Sequence, residues 1–256
     1  YPSPKARDIY QYIFPQLADF DPVTLKLIPV LIKAIPEEIK ITEGPNSGSI
    51  KFTIEYLPEA KWDDDKDVTA QDYIFSVKTV KNLKVKAGGY RSHLQFISDI
   101  VIDPNNPKKF DVIFSKDYLL AKETALTIET YPAHIYDPKG LTTSLSLSDA
   151  GDENKLNKII AKDSTLMQWA DDMNGIKYGR EVVNSCGPYQ LSEWVTDEYI
   201  ILDRKENYWA KGSKNPFLIA GPKRIIFDIL PDETTAITQL SGFFKYTKRR
   251  KQLSIP

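Results

Sequence analysis

The sequence of 256 residues is long enough to bury a large core in one or two domains. Hydrophobic residues make up 41% of it and charged residues 27%, as in an ordinary globular protein. The 34 basic and 35 acidic residues nearly cancel, so charge gives no argument for a surface that binds nucleic acid or a membrane. The single cysteine excludes an intrachain disulfide and a metal site built from several cysteines, and no apolar run reaches the length of a transmembrane helix.

The first third of the chain predicts two strands and a helix. Residues 9–20 alternate loosely between apolar and polar side chains, which indicates a strand that runs into a loop. Residues 50–55 alternate strictly, as a half-buried strand does. Residues 69–81 predict a helix, because Thr69 and Asp72 have the spacing of a capping box and apolar residues then recur every three or four positions.

The middle of the chain predicts a strand pair, two helices and a loop. Residues 99–103 and 110–114 are apolar runs around a turn that contains Pro and Asn, which favours two strands. Residues 119–128 and 164–173 predict helices, the second with its apolar side chains on one side. Residues 142–152 are polar and rich in Ser and Thr, which indicates a surface loop.

The last third of the chain predicts a β-hairpin followed by a strand and a helix. Residues 187–194 and 199–204 alternate on both sides of a polar turn, the pattern of two antiparallel strands. Residues 223–230 predict a further strand, and Asp232 is placed to cap the helix that follows it.

Three stretches of the chain carry motifs of a known family. Residues 186–194, CGPYQLSEW, followed by the hairpin and by NYW at 207–209, are similar to the pattern GxGPY…W…NpxYW. Residues 60–76, AKWDDDKDVTAQDYIFS, are similar to W-x-D-G-x-x-(V/L)-T-A-x-D-V-x-F-S, and residues 131–138 to P-K-H-I-Y-D-P. Together they resemble the bacterial extracellular solute-binding proteins of the oligopeptide/dipeptide-binding family. The resemblance covers residues 10–240.

The resemblance implies a mixed α/β fold, namely one lobe of a periplasmic-binding-protein-like structure of the peptide-binding type, with the second lobe absent. The first subdomain is expected to be discontinuous and to comprise residues 1–32 and 178–240. An α+β subdomain of residues 33–177 is expected as an insertion between these two parts. Residues 241–256 depart from the family pattern and are interpreted as an atypical tail.

The resemblance also implies a solute cleft to which this lobe contributes three segments: the loop after the opening strand, the segment after the first long helix, and the entry to the hairpin. Aromatic faces offer large contact areas there, and backbone groups beside glycine can hydrogen-bond with an extended peptide. For Phe14 and Leu17 core packing is the alternative role, and for Tyr90 and Arg91 it is a solvated loop. The implied ligand-binding residues are Phe14, Gln16, Leu17, Tyr90, Arg91, Ser185, Cys186 and Gly187.

By this resemblance the chain binds a peptide or another small solute for the membrane permease of an ABC importer, without covalent chemistry, a cofactor or a metal ion. The full-length protein is expected to be a monomer in the periplasm or cell envelope, secreted or anchored as a lipoprotein, with no nucleic-acid partner. The sequence opens without a leader pattern, so the leader is expected to lie outside it. Because the pattern of a second lobe is missing, we expect a truncated or partial chain that binds its ligand weakly alone.

Two other classes of function stay open. A cysteine-dependent hydrolase would use Cys186 with His93 or His134 as the base, whereas we expect an inert thiol with a near-ordinary pKa. A ligand-sensing domain of a regulator would need a fused DNA-binding segment, and the sequence has no helix-turn-helix pattern. Residues 63–65 and 248–251 are interpreted as a solvated acidic turn and an exposed basic tail rather than as sites for a cation and for nucleic acid.

Overall fold

Contacts between residues divide the chain into two units. The computed structural model describes residues 8–115, 118–230, 232, 234, 235 and 237. The first unit holds the described residues of Tyr1–Gln190 together with Arg204–Gly221, and the second holds those of Leu191–Asp203 and Pro222–Pro256. The predicted subdomain boundaries differ from these and stay a prediction.

Six strands of the first unit form two antiparallel sheets. They are β1 (Ala18–Phe20), β2 (Leu27–Pro29), β3 (Ile39–Lys40), β4 (Ile50–Glu55), β5 (Ile97–Asp103) and β6 (Asn106–Phe114). β1 pairs with β2, and the larger sheet has the order β3-β4-β6-β5. The predicted alternation of β4 is confirmed, since Ile50, Phe52 and Ile54 are buried and the residues between them are half-buried. The predicted strand pair is confirmed as β5 and β6.

The predicted strand over residues 9–20 is wrong for most of its length. Only Ala18–Phe20 forms a strand, and the chain before it turns. The large aromatic and aliphatic side chains buried before this strand recur at three- and four-residue intervals, which is the period of a helical turn and not of a strand. They are Tyr10, Ile13, Phe14 and Leu17.

Seven α-helices lie within residues 70–174 of the first unit. They are α1 (Ala70–Lys81), α2 (Gly88–Leu94), α3 (Ala121–Leu126), α4 (Ala133–Tyr136), α5 (Leu147–Ala150), α6 (Glu153–Lys162) and α7 (Thr165–Asn174). α1, α3 and α7 confirm the three predicted helices of this region. A π-helical turn, Lys177–Glu181, follows α7. Within the described residues, no helix has both the length and the apolar character needed to cross a bilayer.

The predicted surface loop over residues 142–152 is wrong in part, because it contains α5. Ser146 caps this helix by accepting a hydrogen bond from the amide of Asp149 at 3.0 Å. Leu147 and Ala150, three positions apart, are buried. The Ser-rich composition therefore reflects helix capping as well as exposure, which is a known preference of serine.

The first long helix, α1, begins at a carboxylate that joins three parts of the chain. Thr69 is its N-cap, and the predicted capping box with Asp72 is confirmed. One oxygen of Asp72 accepts hydrogen bonds from the amide of Thr69 at 2.9 Å and the indole of Trp62 at 3.2 Å. The other oxygen accepts one from the amide of Ala133 at 2.9 Å. Burial raises the pKa of Asp72 although these hydrogen bonds oppose the shift.

The second unit is built on a three-stranded sheet of order β7-β8-β9. The strands are β7 (Tyr189–Val195), β8 (Tyr199–Arg204) and β9 (Arg224–Asp228). β7 and β8 confirm the predicted hairpin, and β9 confirms the strand predicted after it. The amide of Thr235 donates to Asp232 at 2.9 Å, so the predicted cap is confirmed as well. Thr234, Thr235 and Ile237 are helical as predicted, whereas Ala236, residues 238–240 and the tail of residues 241–256 lie outside the described residues.

A bidentate ion pair joins β8 to β9. Arg224 donates to the two carboxylate oxygens of Asp203 through Nε at 2.6 Å and Nη2 at 2.8 Å. These hydrogen bonds, with a smaller contribution from Ser192, lower the pKa of Asp203 from its ordinary 3.8 to about 2. A carboxylate whose pKa is depressed by folding stabilises the folded state above its unfolded pKa, and this contribution is lost as the pH falls through the folded pKa.

We expect Arg224→Gln to return the pKa of Asp203 from about 2 towards 3.8, because the charged donor is removed. The measurement is a carbon-detected NMR titration of the Asp203 carboxyl group. Lys223→Gln removes a neighbouring exposed charge and is the control. An Asp203 pKa that does not differ between wild type and Arg224→Gln would show that the ion pair does not form in solution.

Candidate functional site

Two of the three predicted site segments meet at Gly187. Its amide donates to the carbonyl of Ile13 at 2.8 Å, and the amide of Tyr189 donates to the carbonyl of Tyr12 at 3.3 Å. A Cβ on Gly187 would lie 2.5 Å from the carbonyl oxygen of Ile13 and 2.7 Å from that of Tyr12. Since both neighbours are backbone atoms, only glycine allows the two segments to approach this closely.

A first cavity of about 510 Å³ lies beside this contact. It includes Phe14 and Gln16 of the opening segment and Pro188, which follows Gly187. Three carboxylic acids and several apolar side chains line it, and the described lining has no basic side chain. The lining residues are Asp8, Gln11, Tyr12, Phe14, Pro15, Gln16, Asp19, Val30, Glu129, Pro188, Pro216, Phe217 and Ile219.

The third predicted segment lines a second cavity of about 310 Å³, between α2 and α3. Tyr90, on α2, is half-buried and forms part of its wall. The lining combines apolar side chains with two glutamates. The lining residues are Gly89, Tyr90, His93, Leu94, Leu120, Glu123, Thr124, Thr127, Ile128 and Glu129.

Glu129 lines both cavities and joins them into one candidate site. It is only 3% exposed, and it forms an isolated antiparallel bridge with Gln16. A buried carboxylate at the junction of two cavities is a strong candidate for ligand recognition. Sequence analysis missed Glu129, and the available signal was weak: a single acid that follows the mostly apolar residues 125–128.

Phe14 and Leu17 occupy different environments although both are buried. Phe14 is 1% exposed and its ring lies 4.8 Å from that of Tyr131, yet it contributes to the wall of the first cavity. Leu17 is fully buried, and its carbonyl accepts hydrogen bonds from Val30 and Leu31. Phe14 thus combines core packing with a position at the cavity, whereas Leu17 packs in the core. A direct ligand contact by Leu17 stays a prediction.

Arg91 is held by backbone carbonyl groups. Its guanidinium donates to three of them at 2.7–3.1 Å, and burial lowers the pKa of Arg91. These acceptors belong to the end of α1 and the segment after it, namely Val80, Asn82 and Val85. Arg91 therefore holds α2, the helix that also carries Tyr90, against the end of α1 and the segment after it, and it lines a different cavity from Tyr90. Its contact with a ligand stays a prediction.

An ion pair between a buried lysine and a partly exposed aspartate holds Ser185. Asp63 accepts hydrogen bonds from the amide of Ser185 at 2.9 Å and from its hydroxyl at 3.1 Å. Lys205, with a side chain 5% exposed, pairs with Asp63 at 2.5 Å and donates to the Ser185 hydroxyl at 2.8 Å. Burial lowers the pKa of Lys205, and the attraction of Asp63 opposes that shift. The acidic turn of residues 63–65 is thus not only solvated, because its Asp63 also holds the backbone of Ser185 in place.

Cys186 is buried and 1% exposed, and its carbonyl accepts a hydrogen bond from the indole of Trp209 at 2.7 Å. Burial raises the pKa of the Cys186 thiol well above its ordinary value, so the expectation of a near-ordinary pKa is wrong. The shift disfavours the thiolate that a nucleophile requires. His93 and His134 are engaged elsewhere, with Tyr118 at 2.9 Å and Asp64 at 2.8 Å.

Comparison with known proteins places the chain in a family. The model for bacterial extracellular solute-binding proteins, family 5 Middle, matches residues 46–242. The chain belongs to this family. The match is to a family of binding proteins outside the cytoplasm, and the fold is the mixed α/β lobe that the sequence predicts. The comparison with curated proteins returned no match.

Solved structures of other binding proteins share the fold of this family member. The oligopeptide-binding protein from Thermus thermophilus, in complex with a pentapeptide, has 19% identity and a TM-score of 0.64, over 94% of this chain and 39% of that one. AppA from Bacillus subtilis, in complex with a nonapeptide, has 17% identity and a TM-score of 0.62, over 94% and 39%. NikZ from Campylobacter jejuni, in complex with Ni(L-His), has 18% identity and a TM-score of 0.58, over 91% and 36%. The chain therefore spans about 39% of the length of the peptide-binding structures that it matches.

We expect Gly187→Ala to lower the free energy of unfolding by about 1–3 kcal/mol, as overpacking against fixed backbone does. The measurement is urea denaturation. Gly221→Ala is the matched control, because a Cβ there meets no atom within 4 Å, and it should stay within about 0.5 kcal/mol of wild type. Equal stability of the two variants would contradict the close contact at Gly187.

We expect the Cys186 thiol to react with an aromatic disulfide reagent at neutral pH only as fast as the chain unfolds, because the thiol is buried and its pKa is raised. The control is the double variant Cys186→Ser with Ser144→Cys, which places the single thiol at an exposed position. If native Cys186 reacts as fast as this exposed thiol, the hydrolase alternative gains support.

Proposed function

We propose that this chain is the solute-contacting part of the extracytoplasmic binding component of an ABC transporter, and that the solute is a peptide. The observation that carries the proposal is that two of the predicted segments, with Pro188 beside the third, line two cavities that share Glu129, in a member of a solute-binding family. The chain would bind without covalent chemistry. A membrane permease would be its partner, and the periplasm or cell envelope its location.

The shape and chemistry of the cavities support a peptide ligand. They offer aromatic walls at Phe14 and Tyr90 and polar side chains at Gln16 and Glu129. An extended peptide can use both kinds of surface, the first for its side chains and the second for its main-chain hydrogen bonds. Two of the matched structures hold peptides, and a third holds a nickel–histidine complex, so the fold alone does not decide the ligand.

The two alternatives have less support. A cysteine-dependent hydrolase would need an accessible thiolate, whereas Cys186 is buried with a raised pKa. A ligand-sensing domain of a regulator would use the same cavities, and sequence around this chain would decide between that role and transport.

We expect the 256-residue chain to bind short peptides weakly, with a Kd of about 1 mM, equivalent to about −4 kcal/mol. The reason is that the chain spans about 39% of the matched peptide-binding structures, so part of a complete site is expected to be missing. The measurement is a titration of isotope-labelled chain with alanine tri- and pentapeptides, followed by amide chemical shifts of Gln16, Tyr90 and Glu129.

In the same titration, Tyr90→Ala should weaken binding by about 1–3 kcal/mol, since it removes an aromatic wall. Tyr199→Ala is the control, because Tyr199 lines neither cavity. The absence of any saturable shift would overturn the proposed function. Micromolar binding would instead contradict the expectation that this part of the site is insufficient alone.

A further inference from the structure

One carboxylate oxygen of Glu123, a residue that lines the second cavity, lacks a hydrogen-bond partner. Oε2 of Glu123 is inaccessible to solvent, and no described residue donates a hydrogen bond to it. The backbone of Glu123 is fixed, because its carbonyl accepts hydrogen bonds from both the amide and the hydroxyl of Thr127, each at 2.9 Å. An unpaired buried acceptor costs free energy, so rotation of the carboxylate towards a donor that a ligand brings into the adjoining cavity would be favoured.

The rest of the cavity wall suits a long side chain with a charged end. Leu94, Leu120 and Ile128 give it an apolar wall, and the ring of Tyr90 completes that wall. Lysine and arginine side chains place their methylene groups against such a wall and their charge at a polar end. Aromatic rings add a favourable interaction with a cation. A cavity of about 310 Å³ has room for one such side chain.

The charges around both cavities favour a cation over an anion. Asp8, Asp19 and Glu129 line the first cavity, and Glu123 with Glu129 lines the second. Among the described lining residues of the two cavities His93 is the single base, and it is exposed and hydrogen-bonded with Tyr118 at 2.9 Å. Carboxylates at the edge of a low-dielectric cavity attract a cation more strongly than they would in water.

We propose that the second cavity receives the cationic side chain of a bound solute, a lysine ammonium or an arginine guanidinium, with Glu123 as its counter-charge. The inference rests on the proposed function and restricts its range of ligands to peptides that carry a basic side chain. The apolar wall selects an organic cation with a methylene stem over a small hydrated ion.

The first test uses a pair of small probes with the 256-residue chain. N-butylguanidinium carries the stem and the charge, and N-butylurea is its neutral counterpart. We expect butylguanidinium to cause saturable shifts of the methyl signals of Leu94, Leu120 and Ile128. Butylurea should bind with an affinity lower by a factor of about ten or more, because a charge-assisted hydrogen bond is lost. Equal affinity for the two probes would overturn the proposal.

Glu123→Gln tests the counter-charge with a side chain of the same size. This variant should bind the two probes equally, while Glu37→Gln, an exposed change outside both cavities, should keep the full preference. Retention of the preference in Glu123→Gln would assign the selectivity to another group and overturn the role given to Glu123.

A peptide arm separates this inference from the proposed function. The pentapeptide Ala-Ala-Lys-Ala-Ala should bind about tenfold more tightly than the same peptide with norleucine in place of lysine. If both peptides bind equally, the proposed function stands and the cationic pocket is rejected. If neither peptide binds, the proposed function fails and this inference fails with it.

Discussion

The close contact of Gly187 with the backbone of Tyr12 and Ile13 is the constraint on which the candidate site depends. It joins two segments that are far apart in the sequence, and it does so without any side chain between them. A hydrogen bond of 2.8 Å fixes the register of this contact, and the missing Cβ sets its distance. Because Phe14 and Pro188 flank the contact, any widening there would also move the walls of the first cavity.

The same segment is held from its other side by charge. Asp63, which is partly exposed, pairs with the buried Lys205, and both side chains also hydrogen-bond with Ser185. A pair of this kind contributes little net stability, because desolvation of the lysine opposes the attraction between the two charges. Its effect is geometric. The Asp63 carboxylate accepts hydrogen bonds from both the amide and the hydroxyl of Ser185, and so fixes the backbone just before Gly187. The close backbone contact at Gly187 and the ion pair at Ser185 thus fix the same segment of the chain.

The sequence predicted those features that depend on neighbours along the chain. The capping box of Thr69 and Asp72 identified helix α1, and strict alternation identified β4. Residues 9–20 were misjudged because a helical turn also produces spaced apolar residues. The site segments came from family motifs, whereas Glu129 and Glu123 acquire their significance from cavities that only the folded chain creates. No local pattern contains that information.

The net charge of the sequence is close to zero, but its positive and negative side chains have different structural roles. Several cationic side chains donate hydrogen bonds to backbone carbonyls: Lys78 to that of Thr142, Lys81 to that of Ile97, and Arg91 to that of Val85. These cations are already neutralised in part by the dipoles that they contact, and they act as braces. The carboxylates of Asp8, Asp19, Glu123 and Glu129 instead line cavities, where an entering molecule can contact them. The proposed preference for a cationic ligand therefore rests on which charges the fold satisfies internally and not on the total charge of the chain.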